Sequence, residues 1–221
     1  YQLAVNLVNS MKVPVVCRDN RLAELLGIEL IGFEQAISLA FERIQQNEVL
    51  SSWIDSYASS GFDESLGHYI QVPEYGCFKD IKTRAISNRD KVISKIWSIG
   101  GSRGWYYGNF LWKIRGYLDK AVGGVGLRRG RTHPEIINRG DALDFWRVLH
   151  ADKSQGRLLL FAEMRLPGEA WLEFRIQDDH KLVQTATFRP RGLLGRLYWY
   201  PVLPLHYFIF NGLINQLVRE E

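Results

Sequence analysis

The sequence has few of the residues from which disulfide frameworks and metal sites are built. It contains only two cysteines, Cys17 and Cys77, which excludes a disulfide framework and a cysteine-rich metal site and fits a reducing compartment. Its five histidines show neither His-x-x-x-His nor His-Glu-x-x-His spacing, so no zinc site is predicted. The net charge of +4 is too small to indicate nucleic-acid binding by itself.

The composition is that of a folded protein with many aromatic residues. Apolar residues make up 46% of the chain and charged residues 24%, which excludes disorder as the main state. Aromatic residues reach 13%, and rings in such numbers fill a core or line a pocket. No signal peptide opens the sequence and its first residue is Tyr1. We therefore expect a cytoplasmic chain that starts inside a longer protein.

Two folded parts joined by a linker are predicted. Residues 1–49 are expected to be helical and mixed material, with apolar residues near helical spacing in Glu34–Asn47. Residues 50–72 are rich in Ser, Gly, Asp and Tyr and have weak periodicity, so they are predicted to form the linker. Residues 73–221 form the second part.

The second part is predicted to be an α+β domain with an antiparallel meander sheet. A strand at Cys77–Ile86 precedes a helix at Asn88–Ile99, capped by Ser87 or Asn88, and a helix at Asn109–Val122. Four closely spaced strand-like runs with strong turn signals follow, a pattern typical of hairpins. They are Asp141–His150, Gly156–Leu166, Ala170–Gln177 and Lys181–Arg189.

One face of this sheet is predicted to be apolar. A three-residue loop, Pro167-Gly168-Glu169, places apolar residues opposite each other, whereas a two-residue loop would mix the two faces. The predicted pairs are Met164 with Leu172, Ala162 with Phe174 and Leu160 with Ile176. Continuing the meander adds Leu182, Gln184, Ala186 and Phe188 to this face and turns Val183, Thr185, Thr187 and Arg189 outward. The opposite face, with Glu163, Arg165, Trp171, Glu173 and Arg175, is mostly polar.

Two polar residues interrupt the apolar face. Gln184 is one, and the first meander strand contributes either Arg147 or Asp144, depending on register. Buried polar groups need partners. These side chains therefore either orient a ligand or pair with each other, and the sequence leaves both readings open.

The apolar segment Leu193–Val218 is predicted to cover the apolar sheet face. Its part Leu197–Val218 is 22 residues long and has no formal charge, a length that spans a bilayer. Pro201, Pro204 and several polar side chains are costly in lipid, so a helix that covers the core is favoured. An interfacial role stays open because tyrosines and Trp199 lie beside Arg196.

Two further stretches have alternative readings. Residues 101–131 contain seven Lys or Arg against one acid, Asp119, interleaved with aromatic residues. Single-stranded nucleic acid, an anionic lipid surface or a solvated docking face fits this pattern, and the docking face is favoured. Gly-Val-Gly-Leu-Arg-Arg-Gly at 124–130 resembles a phosphate loop, but a helix precedes it where a nucleotide fingerprint needs a strand. A turn with positive φ angles is favoured.

Several blocks of the sequence resemble a known arrangement of domains. Residues 13–44, VPVVCRDNRLAELLGIELIGFEQAISLAFERI, resemble the end of bacterial NAD(P)-binding, nucleoside-diphosphate-sugar-epimerase-like members of the short-chain dehydrogenase/reductase superfamily. Five later blocks resemble the uncharacterised domain fused behind that module. They are GGSRGWYYGNFLW (100–112), GGVGLRRGR (123–131), GDALDFWRV (140–148), AEMRLPGEAWLEF (162–174) and FRPRGLLGRLYWY (188–200). The layout also resembles the helix-grip fold of START-like and polyketide-cyclase-like ligand-binding proteins.

The resemblance implies that residues 1–49 are the remnant of an epimerase-like module and that this module is a partner in the same polypeptide. The chain has no glycine-rich dinucleotide fingerprint and no Tyr-x-x-x-Lys in the required context. The cofactor-binding residues of that superfamily therefore correspond to no position here, and NAD(P) is implied only for the upstream module.

The leading hypothesis is a non-catalytic domain that binds a hydrophobic or amphipathic small molecule between the sheet and the C-terminal helix. The predicted ligand-binding residues are Trp105, Tyr106, Trp112, Arg147, Met164, Leu172, Phe174, Gln184, Ala186 and Phe188. One alternative is that the domain completes the active site of an epimerase or oxidoreductase in the full-length protein. Another is a membrane-peripheral or docking module.

Overall fold

The computed structural model describes most of the chain, which divides into two compact units, Tyr1–Gln46 and Asn47–Glu221. The described residues are 5–6, 9–10, 12, 19, 21–45, 70–126, 131, 133, 135–178 and 180–220. The predicted linker at 50–72 lies outside them, except for residues 70–72.

The first unit contains helices α1, Arg21–Leu26, and α2, Phe33–Gln45. None of the side chains described in this unit is buried. Leu25 is 82% exposed and Phe33 is 79% exposed, so large apolar side chains face water on both helices.

The second unit is an α+β fold built on a six-stranded antiparallel sheet in the order β1-β6-β5-β4-β3-β2. The strands are β1 Phe78–Ala85, β2 Ala142–Leu143, β3 Trp146–Asp152, β4 Arg157–Ala162, β5 Gly168–Gln177 and β6 Lys181–Pro190. The helices are α3 Arg89–Trp97, α4 Asn109–Ala121 and α5 Gly192–Val218. The predicted meander with a long C-terminal helix is confirmed, and the arrangement is consistent with a helix-grip layout.

Helix α3 begins where the sequence predicted. Asn88 is its N-cap, and the Asn88 side chain accepts a hydrogen bond of 2.9 Å from the backbone N–H of Lys91. The cap satisfies one of the amide donors that a helix leaves free at its start. Val92 and Ile96 are among the residues that bury the inner side of the helix.

The first meander strand was predicted as one run and is instead a tight hairpin. Ala142 pairs with Arg147 and Leu143 with Trp146, which leaves a two-residue turn between β2 and β3. Asp144, in this turn, has a φ of 55°. A short polar side chain tolerates this left-handed conformation better than a bulky one, which explains why the chain reverses here.

The predicted three-residue loop between β4 and β5 is wrong. Leu172 pairs with Leu160 and not with Met164, a displacement of four residues. The chain leaves the β4–β5 ladder after Phe161, because the Glu163 N–H donates to the Phe145 carbonyl and the Arg165 N–H donates to Asp119. An even displacement preserves the alternation of side chains, so the apolar face is unchanged.

The face toward α5 forms the main core. Residues of β4, β5 and β6 on this face pack with the inner side of α5, and all of them are buried. They include Leu158, Leu160, Leu172, Phe174, Leu182, Phe210, Leu213, Ile214 and Leu217. No helix within the described part of the chain has both the length and the apolar character needed to cross a bilayer.

The opposite face is less polar than the alternation predicted. Trp171 and Thr187 were predicted on an exposed, mostly polar surface, and each is only 2% exposed. Trp171 packs in a second apolar cluster with Leu149, Leu159 and Phe161, which Ile70 and Val72 contact. The guanidinium of Arg189 lies 5.8 Å from the centre of the Trp171 ring and adds to this cover.

Candidate functional site

A cavity of about 280 Å³ lies between the sheet and the helices α4 and α5. The sheet contributes Ala170, Ala186 and Phe188 to its wall. Helix α4 contributes residues such as Leu111 and Leu118, and α5 contributes residues such as Val202 and Ile209. The lining is almost entirely apolar, and among the described residues that line the cavity Arg115 alone carries a formal charge.

The structure divides the predicted ligand-binding residues between the cavity wall, the core around it and the rest of the sheet. Those that line the cavity are Trp112, Met164, Ala186 and Phe188. Those that belong to the core or pack on it without lining the cavity are Trp105, Tyr106, Leu172 and Phe174. Gln184 and Arg147 do not line the cavity, and each makes polar contacts with other parts of the chain.

Gln184 attaches the sheet to the C-terminal helix. It is 1% exposed, and its Nε2 donates a hydrogen bond of 3.2 Å to the carbonyl of Phe210 in α5. Its Oε1 has no hydrogen-bond partner among the described residues. The contact holds the helix against β6 close to the cavity.

Arg147 lies on the other face of the sheet. It pairs in register with Phe161, a member of the opposite-face cluster, and directly opposed residues project to the same face. Its Nε donates to Glu163 Oε1 at 2.8 Å and its Nη1 to the carbonyl of Gly140 at 2.7 Å. Neither the Arg147 nor the Glu163 side chain is exposed. The structure therefore places this candidate in an internal ion pair.

Asp144 is the polar group that the first hairpin contributes to the core beside α4. Its Oδ2 accepts a hydrogen bond of 2.8 Å from Trp105 Nε1. Burial raises the pKa of Asp144 to about 6, although the Trp105 hydrogen bond, a backbone hydrogen bond from Gly101 and the charge of Arg131 all act in the opposite direction. The alternative between Arg147 and Asp144 is thus resolved by the turn between β2 and β3.

His206 was not among the predicted site residues and lies in the cavity wall. Its ring meets Trp199 at 5.0 Å and Phe210 at 4.9 Å, both edge to face. Burial lowers its pKa to about 4, so the imidazole is neutral at pH 7. His206 stands one turn from Val202 and from Phe210 on the side of α5 that faces the cavity, but the nearly uniform apolar sequence of the helix does not distinguish this side.

An ion pair on β1 contributes to the electrostatics around His206. Asp80 raises the pKa of the imidazole and Lys82 lowers it, both less than burial does. Lys82 Nζ lies 2.7 Å from Asp80 Oδ1 and 4.7 Å from the centre of the Tyr207 ring. Among the residues that the structure describes, no group of three or more His, Cys, Asp or Glu is placed to hold a metal ion.

Three ring nitrogens on cavity-lining residues have no hydrogen-bond partner in the described part of the chain. They are Nε1 of Trp112, Nε1 of Trp146 and Nδ1 of His206, and each is buried. An indole N–H only donates, whereas a neutral imidazole carries one donor and one acceptor. Buried polar groups are normally paired, so these three nitrogens are exceptions that belong to residues of the cavity wall.

The glycine-rich segment after α4 turns around a carboxylate of the chain itself. Asp119 is fully buried and accepts from the N–H of Gly126 at 2.9 Å and of Arg165 at 2.7 Å. A Cβ at Gly124 would lie 2.2 Å from Asp119 Oδ1, so only glycine fits there. The described part of the segment, residues 123–126, is therefore a turn around Asp119, and residues 127–130 lie outside the described part.

The spacing Gly-x-Ser-x-Gly occurs once, at Gly100–Gly104. A nucleophile elbow places its serine between a strand and a helix. Here the segment follows α3 and closes on itself through a bridge between Gly100 and Gly104, and Ser102 is exposed. The segment is therefore a surface turn and not an elbow.

A sequence profile of one protein family matches residues 76–213, which is more than half of the chain. The family is described as a protein of unknown function, DUF2867. The chain belongs to the DUF2867 family. The matched residues of this DUF2867 domain include the whole cavity wall, from Leu111 to Phe210. No curated protein and no solved structure significantly matches the chain.

Proposed function

We propose that the DUF2867 domain binds a hydrophobic or amphipathic small molecule in the cavity between the sheet and α5. The observation that carries this proposal is an apolar cavity whose lining residues include three buried ring nitrogens without partners. In a core that only packs, such groups cost free energy because nothing replaces their hydrogen bonds to water. A bound molecule with polar atoms at matching positions removes that cost.

The chemistry of the wall indicates the kind of ligand. The cavity of about 280 Å³ is close to the lower end of the roughly 300–1,000 Å³ of small-molecule sites. The indole N–H groups of Trp112 and Trp146 require acceptor atoms, and Arg115 favours a negative charge. A ligand with an apolar body and a carbonyl, carboxylate or similar oxygen group meets these requirements.

The resemblance of residues 13–44 supports a place for this domain behind an NAD(P)-binding, epimerase-like module in a longer protein. In that setting the domain holds or shields an apolar molecule for the upstream module. Completion of that module's active site draws no support from Arg147 and Gln184, because both side chains are buried and bonded within this domain.

The test is native mass spectrometry of freshly purified chain, followed by denaturing extraction of any bound species. We expect an apolar or amphipathic molecule in stoichiometric amount. Val202→Trp should exclude it, because Val202 lines the cavity on α5. Leu203→Trp is the matched control, since the neighbouring side chain is 41% exposed and does not line the cavity.

Two results would contradict ligand binding in this cavity. An empty wild-type protein that also fails to take up a fluorescent long-chain carboxylic acid would overturn the proposal. Equal uptake by Val202→Trp and Leu203→Trp would place any binding outside this cavity.

A further inference from the structure

The cavity opens between two helices whose exposed surfaces are apolar. Ile114 and Leu118 of α4 and Leu205 of α5 both line the cavity and are exposed, by 51%, 59% and 48%. These three residues, called the cavity rim below, expose leucine and isoleucine side chains at the entrance. A cluster of large apolar side chains in water marks an interaction site.

The exposed apolar surface continues from the rim along both helices. Leu194, near the start of α5, is 76% exposed, and Leu197, one turn later, is 55% exposed. Tyr200 and Tyr117 are 64% and 75% exposed. A tyrosine with an apolar ring and a polar hydroxyl is typical of the boundary between lipid and water.

The charges on these helices have one sign. Lys113 and Lys120 of α4 and Arg196 of α5 are exposed, and none of them forms an ion pair in the described part of the chain. Helix α5 contains no acidic residue. The single acid of α4, Asp119, is fully buried and bonded to Gly126 and Arg165. The surface around the rim therefore complements a negatively charged partner.

We propose that the rim and the adjoining surfaces of α4 and α5 dock on an anionic lipid bilayer. Leucine and tyrosine side chains enter the interface while lysine and arginine contact lipid phosphates, as in peripheral proteins that lie on a membrane. The cavity then opens toward the acyl chains. Docking needs no bound ligand, so the inference goes beyond the proposed function and can fail separately from it.

Part of the basic aromatic stretch at 101–131 belongs to this docking surface and part does not. Trp105 and Trp112 are buried, and Arg131 donates to the carbonyls of Trp97 and Ile99. Lys113, Tyr117 and Lys120 remain exposed on α4. The candidate lipid contacts are therefore these α4 residues together with the outer side of α5.

Co-sedimentation of the full chain with vesicles tests the proposal. We expect binding to vesicles of phosphatidylglycerol mixed with phosphatidylcholine, little binding to phosphatidylcholine alone, and a loss of binding at high salt. Lys113→Gln with Lys120→Gln should weaken binding roughly twenty-five-fold, at about fivefold for each basic residue. Lys91→Gln with Lys153→Gln, which removes the same charge from exposed positions elsewhere, should have little effect.

A second test variant and its matched control measure how much the exposed apolar side chains contribute to vesicle binding. Leu194→Gln with Leu197→Gln should reduce vesicle binding by more than tenfold without changing the melting temperature, because both side chains are exposed. Leu22→Gln with Leu25→Gln is the control, since these α1 residues are 67% and 82% exposed. The ligand found by native mass spectrometry should stay bound in all four variants, which separates this test from that of the proposed function.

Two results would overturn the inference. One is a lack of binding to anionic vesicles, or equal losses in the test and control variants. The other is self-association of the chain that Leu194→Gln with Leu197→Gln abolishes while vesicle binding is absent, because the surface would then be a contact between two copies.

Discussion

Two groups of buried polar side chains, one on each side of the sheet, differ in their pairing. On the face away from α5, Arg147 and Glu163 are fully buried and joined by a hydrogen bond of 2.8 Å. On the face toward α5, the ring nitrogens of Trp112, Trp146 and His206 are buried without partners beside a cavity. The first set is paired within the protein, and the proposed function assigns the second set to a ligand. The comparison predicts that substitutions in the first set change stability and that substitutions in the second set change ligand binding.

The Arg147–Glu163 pair offers the largest effect on stability. Glu163→Gln leaves the Arg147 guanidinium buried without a matching negative charge, and breaking a buried ion pair costs about 3–5 kcal/mol. We expect the free energy of unfolding, measured with urea, to fall by that amount. Ligand occupancy of the molecules that remain folded should not change.

The double variant Arg147→Met with Glu163→Leu provides the control. Removing both charges should restore much of the lost stability, because an apolar pair of similar volume has no charge to desolvate. If Glu163→Gln removed the ligand and left stability intact, the two groups of polar side chains would not differ in the way described.

The fold was predictable because its signals are local. Alternating apolar residues mark the strands of the meander, and the Asn88 cap marks the start of α3. The β4–β5 register was not predictable from the hairpin alone. It depends on the bond from Arg165 to Asp119, which are 46 residues apart in the sequence. A contact of that kind is visible only once the chain is folded.

The site was predictable to the extent that it follows from the sheet. Ala186 and Phe188 reach the cavity because side chains alternate along β6. Arg147 was misplaced because the turn at Asp144 divides the strand in two and sets which side chains face α5. His206 was missed because a helix alone does not say which of its sides meets the sheet.

The pH dependence of stability separates Asp144 from an ordinary surface acid. Folding raises the pKa of Asp144 from 3.8 to about 6, so between pH 4 and pH 6 the folded protein binds more protons than the unfolded chain. The contribution of Asp144 to the free energy of unfolding therefore falls as pH rises through this window, by about 3 kcal/mol at most. Asp144→Asn should remove this fall and stabilise the protein at pH 7, because asparagine tolerates the same φ and accepts from Trp105.

His206 acts with the opposite sign in nearly the same window. Its pKa falls from 6.5 to about 4 on folding, so the unfolded chain binds more protons and stability rises with pH between pH 4 and pH 6.5. In the wild type, the opposite contributions of Asp144 and His206 to the pH dependence of stability partly cancel. Urea unfolding at several pH values should show a steeper rise for Asp144→Asn and a net fall for His206→Phe. Parallel curves for the wild type and both variants would contradict these assignments.

The smallest expected effect comes from a pair of tryptophans that differ in one hydrogen bond. The Trp105 and Trp112 rings lie 5.1 Å apart and both are buried, but only Trp105 Nε1 has a partner, Asp144. Replacing either by phenylalanine removes similar volume. Trp105→Phe also removes the indole donor of Asp144, which should cost about 1–3 kcal/mol more than Trp112→Phe does. Trp112→Phe should instead weaken ligand binding about tenfold, the value of one hydrogen bond of about 1.4 kcal/mol.

Urea unfolding together with ligand titration of both variants measures the two losses. If Trp105→Phe weakened binding as much as Trp112→Phe did, the unpaired indole would have no special part in recognition.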